Sequence, residues 1–223
     1  MRVVLLGPPG TGKGSLAALC EDRLKVSHVS TGEIFRHEIA QKSILGKKVQ
    51  AYVKNGQLVP DHLVVQVMVN RLKRPEFAKG FMLDGFPRTD GQAEGLDAAL
   101  RKLGKPLHGA IYISSPQPVL VRRLSGRRVC ESCGMNFHIR TMRPKQAGIC
   151  DRCGKALTTR ADDKPETVRK RLALDGKNAA PLLAHYKKQR RLYRVDGRGR
   201  IETVFGRASA LFKKLGWVRA GSG

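Results

Sequence analysis

The sequence predicts an α/β fold: a five-stranded parallel sheet with helices packed on both faces. Five short apolar runs, each too brief for a helix, alternate along the 223 residues with stretches of helical period. The first run meets a glycine-rich turn that opens directly into a helix, as a buried parallel strand does. The hydrophobic content of 41% is enough for a globular core.

Taken in order, residues 2–6 are a central strand and the helix after the turn carries Leu16, Leu19 and Leu24 among its apolar positions. Residues 26–29 form a second strand. Ser30 and Glu33 then have capping-box spacing and start a helix that runs through Ala40. A further helix covers 44–54 and stops at Asn55-Gly56, a left-handed cap. Pro60 and Asp61 open the next helix, 63–72. Residues 81–83 are a third strand ending in Asp84-Gly85, 90–103 a helix, 109–113 a fourth strand and 118–124 a short helix. Residues 126–163, with little helical period, read as a small insertion. Helix resumes over 164–191, with an interruption or bend expected near Gly176 and Pro181. Residues 192–195 make a fifth strand, and a last helix runs to Leu215.

The run 3–6 meets Gly7 and Pro8 at once, too soon for the apolar region of a signal peptide. No stretch approaches the roughly 18 apolar residues of a membrane helix. A soluble, cytoplasmic protein is the expectation. Lys and Arg number 43 against 18 Asp and Glu, a net charge of +25. Nucleic acid, an acidic membrane surface or phosphorylated substrates could balance it, or it is simply a basic solvated surface.

Gly7-Pro8-Pro9-Gly10-Thr11-Gly12-Lys13-Gly14-Ser15 has GxxxxGK spacing between a strand and a helix. Its glycines let backbone N–H groups curl around phosphate oxygens, the helix N-terminus adds partial positive charge, and Lys13 reaches the β/γ-phosphates. Gly14 stands where many such loops carry the Mg²⁺-binding hydroxyl, which here comes one later at Ser15. Asp84 ends the third strand, where open α/β sheets bind ligands, and is a candidate to hold Mg²⁺ through water. Arg88 can clamp a phosphate with two hydrogen bonds. Arg36, Arg123, Arg127, Arg160 and Arg171 are further phosphate-clamp candidates, although composition alone would not single them out. Cys130-x₂-Cys133-x₁₆-Cys150-x₂-Cys153 has zinc-ribbon spacing, and four thiolates suit a closed, structural Zn²⁺. Disulfides and an iron–sulfur cluster are the alternatives. Cys20 reads as a small buried hydrophobe. No histidine has metal-like spacing, and none is assigned catalytic work.

Together these residues resemble the adenylate kinases of the long, zinc-lid type. The resemblance spans nearly the whole chain through GPPGTGKG, STGEIFR, LDGFPRT, Gly126-Arg127-Arg128, Arg160-Ala161-Asp162-Asp163 and the Val195-Asp196-Gly197 turn. It implies a P-loop core (1–29, 60–125 and 164–223), an AMP-binding insertion (30–59) and a zinc-binding lid (126–163). It implies that Gly10, Thr11, Gly12, Lys13, Gly14 and Ser15 hold ATP phosphates. Arg123, Arg127, Asn136, Phe137 and the backbone at Gly199 would complete the ATP site. Thr31, Arg36, Gln57, Leu58, Val59, Gly85, Phe86, Pro87, Arg88, Gln92, Arg160 and Arg171 would hold AMP, Gln92 reading the adenine edge. Arg160 and Arg171 would come in on lid closure, and Lys13, Asp84, Arg88, Arg127, Arg160 and Arg171 would form the catalytic set. Phe35 and Phe137 depart from the family, standing where an aliphatic residue and Tyr are usual.

The implied reaction is Mg·ATP + AMP ⇌ 2 ADP in a monomer, with ATP, AMP and ADP as partners and Mg²⁺ and structural Zn²⁺ as cofactors. A kinase for another nucleoside monophosphate is the same-class alternative. A zinc-ribbon nucleic-acid binder is the other, resting on the charge and on Arg127, Arg128, Arg140, Arg143, Lys145 and Arg152; non-specific electrostatic binding is its weaker form.

Overall fold

The computed structural model describes residues 1–218. Its core is a sheet of β1 (Arg2–Leu6), β2 (Ser27–Ser30), β3 (Phe81–Asp84), β4 (Gly109–Ser114) and β8 (Leu192–Asp196), in the spatial order β2-β3-β1-β4-β8. Every neighbouring pair runs parallel. The central strand shows why its sequence is a continuous apolar run. Val4 and Leu6 face one hydrophobic cluster while Val3 and Leu5 face another, so neither side meets water.

The first cluster is closed by α4 (Asp61–Leu72), α5 (Asp90–Lys102) and α7 (Pro165–Lys188), through Met68, Leu96 and Tyr186 among others. The second is closed by α1 (Lys13–Leu24) and α8 (Ile201–Lys214), through Leu16, Ala17, Phe205 and Phe212. Cys20 belongs to this second cluster, where burial pushes its thiol up to about 12, and it is the inert small hydrophobe expected. The five-stranded, doubly covered sheet is therefore the fold that the sequence pattern predicted.

Local signals were accurate at the helix ends. Ser30 Oγ accepts from the Glu33 N–H at 3.4 Å and starts α2 (Thr31–Ala40). Gly56 ends α3 (Ile44–Asn55) at φ 68°, as Asn55-Gly56 implied. The interruption does not occur: α7 is a single helix that runs through Gly176 and Pro181. Pro181 has no N–H for the Lys177 carbonyl, but both residues are exposed, so water can take that bond. Leu182 and Tyr186 on the opposite face anchor the helix in the core.

Residues 30–59 fold as α2 and α3. After α6 (Gln117–Ser125), residues 126–163 build a small antiparallel sheet of β5 (Arg127–Cys130), β6 (Asn136–His138) and β7 (Leu157–Thr158), in the order β6-β5-β7. The last part of the expected core, 219–223, lies outside the described residues. Among the described residues no helix is long and apolar enough to cross a membrane.

Candidate active site and metal centre

The loops at the carboxyl edge of the sheet and both inserted segments line one cleft of about 970 Å³. Its floor is the glycine-rich loop. Lys13, first residue of α1, donates from Nζ to Gly7 O at 2.6 Å and Pro8 O at 2.9 Å, tying the loop's start to the helix. Arg123 on α6 donates to Thr11 O at 3.4 Å and Gly199 O at 3.0 Å, joining the loop to the turn after β8. Gly14 has a physical reason. A Cβ there would lie 3.1 Å from Asp84 Oδ2, so the missing side chain is what lets this carboxylate come up against the start of α1. Asp84 and Ser15 both line the cleft, and a carboxylate with a hydroxyl is a hard oxygen donor set of the kind that suits Mg²⁺.

All six arginines singled out in the sequence line this cleft: Arg36, Arg88, Arg123, Arg127, Arg160 and Arg171. Burial lowers the pKa of Arg36, Arg88, Arg123 and Arg160 below the ordinary arginine value. Burial pushes Arg160 down to about 9, helped by the charges of Arg36 and Arg127. Two carboxylates at the lid's exit hold the group together. Arg127 makes a two-pronged pair with Asp163, Nε to Oδ2 at 2.7 Å and Nη2 to Oδ1 at 2.5 Å. Arg171 Nη1 reaches Asp162 Oδ2 at 2.9 Å and Asp163 Oδ1 at 3.2 Å. Arg160 donates to Asn136 Oδ1 at 3.0 Å, and Arg88 Nε to Gly85 O at 2.7 Å.

Every residue expected at ATP lines the cleft: Gly10 to Ser15, Arg123, Arg127, Asn136, Phe137 and Gly199. Phe137, however, is 3% exposed, and its ring packs with Cys130, Cys150 and Leu157 in the lid's own core. Of those expected at AMP, Arg36, Leu58, Gly85, Pro87, Arg88, Arg160 and Arg171 line it. Thr31, Gln57, Val59, Phe86 and Gln92 do not. Val59 and Phe86 belong to the core cluster, Gln57 is exposed, and buried Thr31 donates to Gly85 O at 2.9 Å. Gln92 is 2% exposed, with its amide committed: Oε1 accepts from Arg88 N–H and Nε2 donates to Asp61 Oδ1, both at 2.8 Å. Phe35 is also buried in the core and is not among the cleft residues.

Sequence reasoning passed over the acidic side of the site. Asp162 and Asp163 stood in a motif but received no role. Asp175 stood in none, and its only signal was its position four residues after Arg171, which puts both on one face of α7. It lines the cleft, and its carboxyl is pushed above the usual range by burial, against the pull of Lys13, Arg88 and Arg171. His138 was likewise passed over. It ties β6 to the end of α6, Nε2 lying 3.2 Å from Arg122 O while Nδ1 accepts from Arg140 N–H at 3.0 Å.

The four lid cysteines converge, with all Sγ atoms within 4.8 Å of one another. Cys130 and Cys153 sulfurs are 3.3 Å apart, Cys133 and Cys150 sulfurs 3.5 Å. Zn–S bonds of about 2.3 Å in a tetrahedron put sulfurs about 3.8 Å apart, within the observed spread. The two knuckles are built alike. Cys130 and Cys150 each accept at their carbonyl from the glycine after the second cysteine, Gly134 and Gly154, both at 2.9 Å with φ of 73° and 69°. Four convergent thiols on two matching turns fit structural zinc. Among the described residues Phe137 and Leu157 are the apolar side chains clustered with the cysteines, so a bound metal would add to the cohesion of this small segment. Chelating the zinc, or Cys130→Ser, will lower the thermal midpoint by more than the roughly 2–4 °C that 1 kcal/mol makes in a chain this size, read by calorimetry.

Lys13 sets a pH limit. Burial lowers its ammonium to about 8, while the carboxylates of Asp84 and Asp175 act to raise it and the cations of Arg88 and Arg171 to lower it. The charge on Lys13 is therefore present below about pH 8 and lost as pH rises through it. In the free enzyme, kcat/KM will fall above that value. Asp175→Asn removes a raising charge and will move the alkaline limb to lower pH, measured as a pH profile of kcat/KM.

Comparison with known proteins agrees with this geometry. The family model described as adenylate kinase matches residues 5–191. The protein named adenylate kinase in Thermosipho melanesiensis is 45% identical over 92% of this chain and 95% of its own length. That of Kosmotoga olearia is 45% identical over 96% and 99%, and that of Clostridium botulinum strain 657 is 44% identical over 94% and 97%. With its glycine-rich loop, convergent arginines and cysteine-clasped insertion, the chain belongs to the adenylate kinase family.

Proposed function

We propose that the cleft binds Mg·ATP on the P-loop side and AMP on the side of residues 30–59, and transfers the terminal phosphoryl group between them to give two ADP. The convergence of Lys13, Arg36, Arg88, Arg123, Arg127, Arg160 and Arg171 on one cleft carries this reading. An AMP phosphate oxygen attacks the γ-phosphorus, the new P–O bond forming as the bond to the β–γ bridging oxygen breaks. The nucleophile is already anionic, so the protein has no proton to remove; it must hold two polyanions together in line.

In this reading Lys13 and the loop N–H groups take the β- and γ-phosphates, and Arg123 and Arg127 hold ATP. Arg36 and Arg88 take the AMP phosphate, and Arg160 and Arg171 stabilise the transferring group. Asp162 and Asp163 act through Arg127 and Arg171, fixing their forks. Mg²⁺ at Asp84 and Ser15 would supply neutralisation of the ATP phosphates. Residues 30–59 and 126–163 act as moving covers whose closure excludes water. Gln92 reads adenine by exchanging its bonds to Asp61 and Arg88 N–H for the base edge. A cleft completed by one chain supports action as a monomer, and thiol-rich metal ligation supports the reducing cytoplasm.

A coupled assay with ATP and AMP, CMP, UMP or GMP as acceptor tests the substrate assignment. AMP will be the preferred acceptor, and dominant turnover of a non-adenine acceptor would overturn it. Lys13→Ala will lower kcat by about 10²–10³-fold, the size seen for loss of one charge-stabilising donor, with an unchanged circular dichroism spectrum. Near-normal turnover would remove Lys13 from the mechanism.

A further inference from the structure

Gln92, on α5, is buried with both ends of its amide held by groups of fixed sense. Oε1 accepts from the Arg88 N–H and Nε2 donates to Asp61 Oδ1, both at 2.8 Å. A backbone N–H can only donate, and an ionised carboxylate can only accept. An amide is nearly symmetric in shape, so packing alone would not tell its oxygen from its nitrogen. Here the two partners do. Turning the amide over would set oxygen against carboxylate and nitrogen against N–H, replacing two hydrogen bonds with two repulsive contacts.

Asp61 is itself held in place. It is the half-buried first residue of α4, and its second oxygen, Oδ2, accepts from Thr89 Oγ1 at 2.7 Å. Thr89 Oγ1 in turn accepts from the Gln92 N–H at 3.1 Å, at the start of α5. Close approach of the two helices permits this ring of bonds. A Cβ on Gly91 would lie 3.0 Å from Asp61 Oδ2, and one on Gly95 would lie 3.1 Å from Val65 Cγ2. Gly85, Pro87 and Arg88 line the cleft and Asp61 does not, so its effect on a bound base passes through Gln92.

Adenine and hypoxanthine differ on the edge that an amide reads in the sense of their hydrogen bonds. Adenine presents an N6–H donor beside the N1 acceptor, whereas hypoxanthine presents the O6 acceptor beside an N1–H donor. An amide free to turn over would match either. Nε2 carries two N–H groups and Oε1 two lone pairs, so a base can take one valence at each end while Asp61 and the Arg88 N–H keep the other. We propose that Asp61 is a specificity-determining positioning residue. It keeps one N–H of Gln92 Nε2 when the nucleotide is bound, locks the amide in the sense that matches adenine, and so discriminates against oxopurine acceptors. This role rests on the reading of Gln92 as the residue that recognises adenine, and it narrows the exchange of bonds to one valence at each end.

The test compares kcat/KM for AMP and for inosine monophosphate as acceptors, with ATP as donor. Asp61→Asn keeps the shape but can donate, so a turned-over Gln92 finds a partner while the new amide oxygen takes the Thr89 hydroxyl. The inosine-to-AMP ratio of kcat/KM will rise about ten-fold or more, the Arg88 N–H still opposing the turned amide. A merely structural role would lower both values together, and an unchanged ratio would overturn the role of Asp61. Gln92→Leu separates this role from the reading beneath it, and will also raise the ratio. A ratio that rises in Gln92→Leu but not in Asp61→Asn overturns the role of Asp61 alone. No rise in Gln92→Leu would overturn Gln92 as the adenine reader, and Asp61 with it. Should Asp61→Asn fail to fold, the unaltered protein decides by nuclear magnetic resonance. With isotope labelling, a coupling through the hydrogen bond from Gln92 Nε2 to the Asp61 carboxyl carbon will persist at saturating AMP. Its disappearance on adding AMP would overturn the proposal.

Discussion

Like charges must be held close together in a space sheltered from water, and the architecture of this protein follows from that constraint. Lys13, Arg36, Arg88, Arg123, Arg127, Arg160 and Arg171 all line one cleft, and burial lowers the pKa of Lys13, Arg36, Arg88, Arg123 and Arg160. Asp163 makes the arrangement possible. Its side chain is fully buried yet grips Arg127 with both oxygens and touches Arg171 with one. A carboxylate so placed is costly unless paired, and it is paired twice. Through it the start of the lid, the exit of the lid and α7 are tied at one point.

The parallel sheet serves the same end. Its strands deliver loops to one edge, so the P-loop after β1, Asp84 at the end of β3 and the turn after β8 meet there. Lys13 and Arg123 then fasten those loops with hydrogen bonds to backbone carbonyls. Gly14 illustrates how tightly the pieces fit. The same missing side chain that departs from the commoner P-loop pattern is the one that makes room for Asp84.

Signals that depend on neighbours in sequence are legible in the chain alone. The apolar run of β1, the Ser30 cap, the Gly56 stop and the cysteine knuckles are each decided by a few adjacent residues, and each is found where expected. The six arginines are different: among 43 basic residues composition singles out none of them, Arg88 alone follows a strand-end motif, and the fold brings all six to one cleft. What stays hidden depends on tertiary surroundings. Asp175 gains its place only because the fold brings α7 to the cleft that Lys13 also lines. The Gln92 amide is committed because Asp61, on another helix, lies beside it. Pro181 suggests a break in α7 because sequence does not reveal which face of a helix will be wet.

The zinc clasp has a consequence for how the chain is made. Its four ligands lie between residues 130 and 153, so closing their loop restricts few residues and needs no distant partner. The core sheet has the opposite character, for β8 leaves the ribosome long after β4, the only strand with which it pairs among the described residues. Metal capture can therefore complete the lid while the sheet still lacks its edge. A segment of this length and modest apolar mass, inserted between β4 and β8, thus enters synthesis as a closed unit instead of a long slack loop. The order of the polypeptide and the position of its metal together keep a large insertion from delaying the last strand.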